Sequence, residues 1–505
     1  MGNRDIEAAR TYHATTKHSY TSVRTDGHFL DWDNRPMPYK LYPEVSGLAL
    51  PRDLSLARVP ALEAIAASDA PGGSDELSLE ALTRILFCAD GLTRRARVGG
   101  EDYHFRAAPS AGALYPIEIY AAVATVGELE QGLYHFSPAD LRLRGLRRGD
   151  WRGLIARAAA GRPSLLEARA VIVLSAIFWR SAWKYRARAY RYCFWDAGTM
   201  LANLLAAAAA EGLSTEVVTA FADPEIETLL GIDGEREGAL CLVAIGGGAI
   251  APGAEPELPP LNLETIPLSR DEVGYPDLVR MHQASRLLTP DESAEAAGAQ
   301  IDSVPPPPTA WVVKPELLDA SAGLSLGETI LRRGSSRVFA QKAITGEELA
   351  TMMAVSSGHP RCDFPPLSDT YLIVNAVDGM EPGAYYYRRQ TREFELLKAA
   401  NFRREAGYLC LEQPLGADCS ALVCYMGDLD RALGALGNRA YRDAHLEAGL
   451  EGGRTYLAAY ALGRGATGLT FYDDDTTKFF GSHAAGKSPL LMVAIGVPGS
   501  SEDKS

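Results

Sequence analysis

The chain has 505 residues, 47% of them hydrophobic and 23% charged, with a formal net charge of −14 and a pI near 5.3. This is ordinary globular composition, long enough for two cores of roughly 200 residues each. The acidic balance argues against a protein that grips nucleic acid through a basic face. The seven cysteines, odd in number and without a CxxC pair, read as reduced core residues of a cytoplasmic protein.

The first thirty residues are polar and aromatic, and no stretch of about 18 apolar residues runs uninterrupted, so neither a secretion signal nor a membrane partner is expected. Alanine and leucine at helical spacing predict helices over 79–90 and 194–210, and short apolar runs predict buried strands over 117–123, 170–177 and 242–245. Proline then punctuates the chain, at Pro252, Pro256, Pro259 and Pro260 and in the run from Pro305 to Pro308, which is linker chemistry. A short helix around 277–287 falls inside this stretch. Beyond it come helices over 346–355 and 441–462 and strands over 371–377, 421–425 and 490–495. The expected organisation is a mixed α/β domain over 1–250, a Pro-rich linker over 251–320 and a second α/β domain over 321–500.

The two domains read as copies of one another. Gly132-Leu133-Tyr134-His135-Phe136 is matched by Gly383-Ala384-Tyr385-Tyr386-Tyr387, Arg188-Ala189-Tyr190-Arg191 by Arg439-Ala440-Tyr441-Arg442, and Gly212 by Gly463, each 251 positions on. Val243-Ala244-Ile245-Gly246 recurs 250 positions on as Val493-Ala494-Ile495-Gly496. Matches in order at nearly one offset indicate a tandem duplication.

Three segments carry candidate binding chemistry. Pro109-Ser110-Ala111-Gly112-Ala113-Leu114-Tyr115-Pro116 sets small residues before a strand, which lets backbone N–H groups approach a planar ligand; an ordinary tight turn is the alternative. Arg332-Arg333-Gly334-Ser335-Ser336-Arg337 offers guanidinium forks and hydroxyls suited to a phosphate monoester, or else is a solvated basic run. Gly463 to Thr470 follows a helix and gives main-chain donors access to a ring edge, although a helix C-cap explains its glycines equally well.

Together these segments resemble the nitroreductase superfamily. The first half resembles its SagB/ThcOx-type dehydrogenase branch through Pro109 to Pro116, Tyr12-His13-Ala14-Thr15-Thr16-Lys17-His18-Ser19, and Lys184-Tyr185-Arg186-Ala187-Arg188-Ala189-Tyr190-Arg191-Tyr192; the second half looks like a more distant member. The resemblance implies FMN at the contact of two nitroreductase-like domains forming an intramolecular pseudo-dimer. It implies that Arg333, Ser335 and Arg337 hold the phosphate, that Pro109, Ser110, Ala111 and Gly112 form the opposing loop, and that Gly468, Leu469 and Thr470 face the flavin ring. Lys184 and Tyr185 match a Lys-Tyr pair implicated in azoline dehydrogenation, where one of them removes a proton as hydride passes to flavin; a lysine snorkelling beside an aromatic is the structural alternative.

Each half lacks what the other keeps. The register of Leu82 and Gly91 against Leu349 and Gly358 sets Ala66, Ser68 and Ala70 opposite Arg333, Ser335 and Arg337, while Arg361 to Leu367 replaces the Pro-Ser loop, and Ala435 and Leu436 replace Lys184 and Tyr185. One FMN per chain is therefore expected. The expected activity is oxidation of a small heterocyclic, azoline-like or peptide-borne substrate, against the alternatives of an NAD(P)H-dependent nitro or quinone reductase and of a degenerate flavin-binding scaffold. Whether the fused chain assembles further into a homo-oligomer stays open.

Gly481 to Ser488 spells the P-loop pattern, but Pro489 and a strand-like run follow where a helix should open, so no nucleotide site is expected; Lys487 remains a candidate for the FMN phosphate. Asp473-Asp474-Asp475 reads as a polar loop, and no metal is expected.

Overall fold

The computed structural model describes residues 2–25, 27–69, 76–98, 101–301 and 311–499. The proline run from 305 to 308 and Ala70 lie outside them. Two seven-stranded sheets organise the rest. The first comprises β1 (Gly47–Ala49), β2 (Ile117–Val123), β3 (Gly132–Ser137), β4 (Arg142–Arg148), β5 (Ala170–Ile177), β6 (Thr215–Val218) and β7 (Glu237–Ile245), in the order β1-β4-β3-β2-β5-β7-β6. The second comprises β8 (Val312–Val313), β9 (Asp369–Val374), β10 (Gly383–Arg388), β11 (Glu393–Ala399), β12 (Ala421–Gly427), β13 (Gly465–Leu469) and β14 (Ser488–Gly496), in the order β8-β11-β10-β9-β12-β14-β13.

The two orders are the same, and so are the irregularities. Register slips between Leu133 and Tyr134 in β3 and between Ala384 and Tyr385 in β10, and likewise between Leu174 and Ser175 in β5 and between Tyr425 and Met426 in β12. A bulge inserts one unpaired residue and bends its strand. Finding both bulges at equivalent positions makes the halves two copies of one α/β fold, as the repeats predict.

The helices that position the site are α1 (Glu7–Thr15), α2 (Phe178–Tyr185), α3 (Ala189–Ala210), α4 (Asp223–Leu230), α5 (Pro276–Ala284), α6 (Leu326–Arg332), α7 (Arg439–Ala461) and α8 (Asp473–Phe480). The long helices α3 and α7 pack on one another between the two sheets. They approach so closely that a β-carbon on Gly198 would stand 2.3 Å from the Leu446 carbonyl oxygen, and one on Gly449 would stand 2.6 Å from that of Trp195. These glycines occupy equivalent positions of the two copies, so the crossing point obeys the same pseudo-two-fold relation as the sheets. Phe178–Ala210 is long and apolar enough to cross a membrane by composition, yet 89% of its apolar window is buried inside the fold. That burial accounts for its hydropathy through the contact with α7.

Charge is exchanged reciprocally across the contact. Arg188 and Arg191, around the start of α3, pair with Asp473 of α8 at 3.0 and 2.7 Å, and Arg439 and Arg442 of α7 pair with Asp223 of α4 at 2.9 and 2.8 Å. Asp473, read from sequence as part of a polar loop, thus opens a helix and is buried. The arms are exchanged too. In α1, His13 meets the Tyr441 hydroxyl of the second half at 3.2 Å, and in α5, His282 meets that of Tyr190 in the first half at 3.2 Å. The stretch read as a linker over 251–320 therefore carries α5 and β8, counterparts of α1 and β1, within its span.

Candidate functional site

The Pro-Ser loop, running from Pro109 to Pro116 ahead of β2, is held in a conformation it would not adopt alone. Gly112 has φ +65°, and Ala113 and Tyr115 are also left-handed at 52° and 48°. Non-glycine residues pay roughly 1 kcal/mol or more there, and such strain persists only where surrounding contacts impose it. Those contacts come chiefly from α3. Ser110 Oγ donates to Asp196 Oδ2 at 2.5 Å, the Ala111 N–H donates to Asp196 Oδ1 at 3.0 Å, and Thr199 Oγ1 donates to the Pro109 carbonyl at 3.0 Å. Burial raises the Asp196 carboxyl to about 7, against the lowering effect of its bonds from Ser110 and Ala111.

Sequence reasoning passed over Asp196. Its signal was the single carboxylate in a largely apolar 22-residue helix, a placement that demands a polar partner.

Arg333 reaches this loop from the second half. It follows α6, whose N-terminus is fixed by a Ser325–Glu328 capping box. Its guanidinium is buried and donates to the carbonyls of Ala107 at 2.7 Å, Arg106 at 2.6 Å and Gly334 at 3.2 Å. Burial lowers its pKa. It therefore staples the clamp segment to the residues leading into the Pro-Ser loop. Arg337, four residues on, is exposed, and among the described residues no carboxylate pairs with it. The two arginines expected to share one task thus stand in different surroundings.

Ser335 Oγ lies 3.5 Å from the Tyr456 hydroxyl, which also accepts the Gly468 N–H. The Ser336 N–H donates to the Ala466 carbonyl at 2.9 Å, tying the clamp to β13. Along β13 Gly468 is exposed while Leu469 is buried, and just beyond the strand Thr470 Oγ1 accepts from Tyr192 at 3.1 Å. Tyr192 stacks on Tyr185 with ring centroids 4.1 Å apart and planes 7° from parallel.

Lys184 and Tyr185 form the last turn of α2, which ends as Arg186 takes φ 52°. A β-carbon on Gly112 would stand 2.9 Å from Tyr185 Oη and 3.3 Å from Lys184 Nζ, so the loop's glycine faces this pair. Burial, then the Arg337 and Arg35 charges, lower the Lys184 pKa. Burial, then Tyr192 and Asp196, hold the Tyr185 phenol well above its ordinary value, with Arg337 opposing. The loop, the pair, the clamp and β13 thus form one contiguous set drawn from both halves.

Lys487 does not join it. Its ammonium donates to Asp369 at 2.5 Å, at the start of β14, whereas the clamp meets the sheet beside Gly465, which pairs with Gly496 at the far end of that strand. Eight residues of strand separate the two by about 26 Å. The P-loop-like letters lead into β14 and open no α-helix.

The donor set suits a phosphorylated planar cofactor. Arg337, a cation without a carboxylate partner among the described residues, stands beside serine hydroxyls, and a glycine supplies a surface that a side chain would fill. Such a site lies at the contact of two like α/β units, each of which contributes residues the other lacks.

The chain belongs to the nitroreductase family. The profile described as "Nitroreductase family" matches residues 73–247. A Methanocaldococcus jannaschii protein described as a nitroreductase is 32% identical over 173 residues, 34% of this chain and 82% of the relative. The trifolitoxin-processing protein TfxB of Rhizobium leguminosarum bv. trifolii is 29% identical over 181 residues, 33% of this chain and 46% of that protein, so the chain spans about half of TfxB. A crystal structure from Anabaena variabilis, described as a nitroreductase, is 27% identical and superposes with a TM-score of 0.78 over 97% of this chain and 99% of that one. The similarity extends over both halves, and proteins of this family typically bind FMN.

Proposed function

We propose that the chain is an FMN-dependent dehydrogenase of the SagB/ThcOx type, oxidising a small azoline-like heterocycle, free or peptide-borne. The observation that carries the reading is the meeting of the first half's Pro-Ser loop and Lys184-Tyr185 pair with the second half's clamp, stapled by Arg333 to the carbonyls of Arg106 and Ala107. Likeness to TfxB, a processing protein by name, supports a peptide-borne substrate.

In this reading Arg337 and Ser335 hold the phosphate, Arg333 fixes the opposing loop, and Pro109, Ser110, Ala111, Gly112, Gly468, Leu469 and Thr470 line the ring. Bound FMN would supply a two-electron acceptor for hydride. The chain supplies the proton acceptor, and the environments of the pair support one division of roles. Tyr185, with its phenol pushed well above its ordinary value by burial, stays protonated and acts as a hydrogen-bond donor that orients the substrate. Lys184, lowered by burial and by Arg337 and Arg35, is the group biased toward the neutral amine, and its Nζ takes the ring proton. Stacking on Tyr192 fixes the Tyr185 ring.

The deciding experiment is absorbance and flavin stoichiometry of the purified chain, followed by anaerobic mixing with a thiazoline peptide or with NADPH. About one flavin per chain, bleached by the thiazoline, is expected. Rapid bleaching by NADPH alone would replace the reading with a nitro or quinone reductase, and a colourless chain that takes up no FMN would leave a scaffold.

A further inference from the structure

The segment in the second half that stands where the first half has its Pro-Ser loop is built around a thiol. Cys362 Sγ lies 3.1 Å from His359 Nε2, and His359 Nδ1 lies 3.1 Å from Glu447 Oε1. Glu447 sits on α7 at the position equivalent to Asp196 on α3, and it holds its segment in a related way, its Oε2 accepting the Leu367 N–H at 2.7 Å. The acid that anchors the loop is retained, but its partner is now an imidazole.

The hydrogen bonds define the charge of that imidazole. Nε2 also lies 3.1 Å from the Phe364 carbonyl oxygen, which can only accept, and Nδ1 faces a carboxylate oxygen. A ring with an acceptor against each nitrogen carries a proton on both. Burial opposes this charge, but the hydrogen bonds and charges of Cys362 and Glu447 outweigh it and push His359 up to about 11. The sulfur thus faces an imidazolium. Burial pushes the Cys362 thiol up and Glu447 adds to that; His359 and a backbone hydrogen bond at Phe364 pull it back without overcoming burial, so the thiol stays above its ordinary value. The remaining charges nearby are balanced: Arg389 pairs with Glu451, Arg361 and Arg162 with Glu216, and Asp363 accepts the N–H groups of Thr219 and Ala220. Six of the seven cysteines are buried, whereas Cys362 is partly exposed and the His359 side chain is 27% exposed.

We propose that Cys362, His359 and Glu447 form a second reactive centre, a nucleophilic thiol that takes small soft carbon electrophiles into covalent linkage. Thiol, imidazolium and orienting carboxylate stand in hydrogen-bonded sequence, an arrangement in which an adjacent positive charge favours the thiolate. In the reaction the thiolate sulfur donates an electron pair to the electrophilic carbon. The S–C bond forms as the carbon's bond to its leaving group breaks, and the leaving group departs with that pair. The imidazolium keeps its proton and stabilises the thiolate as it forms, and the thiol proton goes to solvent.

The probe is iodoacetamide on the full-length protein, with alkylation followed at each cysteine by peptide mass spectrometry across pH. Cys362 is expected to react at least about tenfold faster than any other cysteine at neutral pH. In H359Q its rate should fall at least about tenfold and its pH profile move up by about one unit or more, with E447Q giving a smaller shift of the same sign. An unmodified Cys362, or a rate and profile unchanged in H359Q, would overturn the proposal. Should H359Q fail to fold, the ultraviolet thiolate absorbance of the wild type minus that of C362S decides independently. Absorbance that appears at a pH below the range of the six buried cysteines supports the centre, and none there refutes it.

Discussion

The loop ahead of β2 and the loop ahead of β9 begin from the same scaffold and end in different chemistry. Both precede the central strand of a sheet with identical order, and both are anchored by an acid at the same place on a long central helix, Asp196 in one and Glu447 in the other. In the first, the acid holds a hydroxyl and a backbone N–H, and a left-handed glycine faces Lys184 and Tyr185. In the second, it holds an imidazole beside a thiol. Strand register, bulges, the glycine crossing and the Arg–Asp pairs are shared, so the scaffold tolerates change in its loops far better than in its packing. The chemistry that distinguishes the two halves lies in two short segments.

The strongest way to break the comparison is at Lys184. Replacing it with methionine should lower turnover of the oxidised substrate by about 10²- to 10⁴-fold while flavin stoichiometry stays unchanged, because a proton acceptor is removed and no cofactor contact is. Equal turnover in steady-state assays would return the lysine to a packing role. Next in size, R337A should weaken FMN affinity by about 10- to 100-fold, the effect of losing a charge-assisted contact, as followed by flavin fluorescence titration. R333A should instead lower the melting temperature as well, since it removes the buried hydrogen bonds that tie the clamp to the Arg106 and Ala107 carbonyls.

Asp196 sharpens the comparison through pH. Its folded pKa, raised to about 7 by burial, stands above the unfolded value, so its contribution is fully present at acid pH and is lost as pH rises toward 7. Relative to D196N, the wild type should lose on the order of 2 kcal/mol of stability between pH 5 and pH 8, measured by urea unfolding of both proteins at each pH. A constant difference would mean that the carboxyl titrates normally. The smallest effect is expected from G112A, where a side chain at φ +65° meets the Tyr185 hydroxyl. About 1 kcal/mol should be lost, together with part of the turnover but none of the flavin's phosphate contacts.

Much of this architecture was legible in the sequence because it is written in local periodicity and in spacing. The helix over 79–90 and the strands over 117–123 and 170–177 match their predicted limits, and the 251-residue offset reappears in the sheet register. What escaped was nonlocal. No pattern around Arg188 or Arg439 announces that the counter-charge of each lies in the other half, and although the helix around 277–287 was expected, proline content concealed β8 inside the apparent linker. The different surroundings of Arg333 and Arg337 were equally out of reach, since the motif has the same letters whether a guanidinium meets a phosphate or two carbonyls. Asp196 and Glu447 were within reach in principle, each being a charge on a helix that is otherwise packed away.

The reciprocal Arg–Asp pairs have a consequence for the integrity of the chain. Because each half encloses two guanidinium groups whose counter-ion the other half provides, a fragment cut within 251–300 and produced alone would bury cations with no anion to meet them. Two such fragments made together should find each other and restore the pairs.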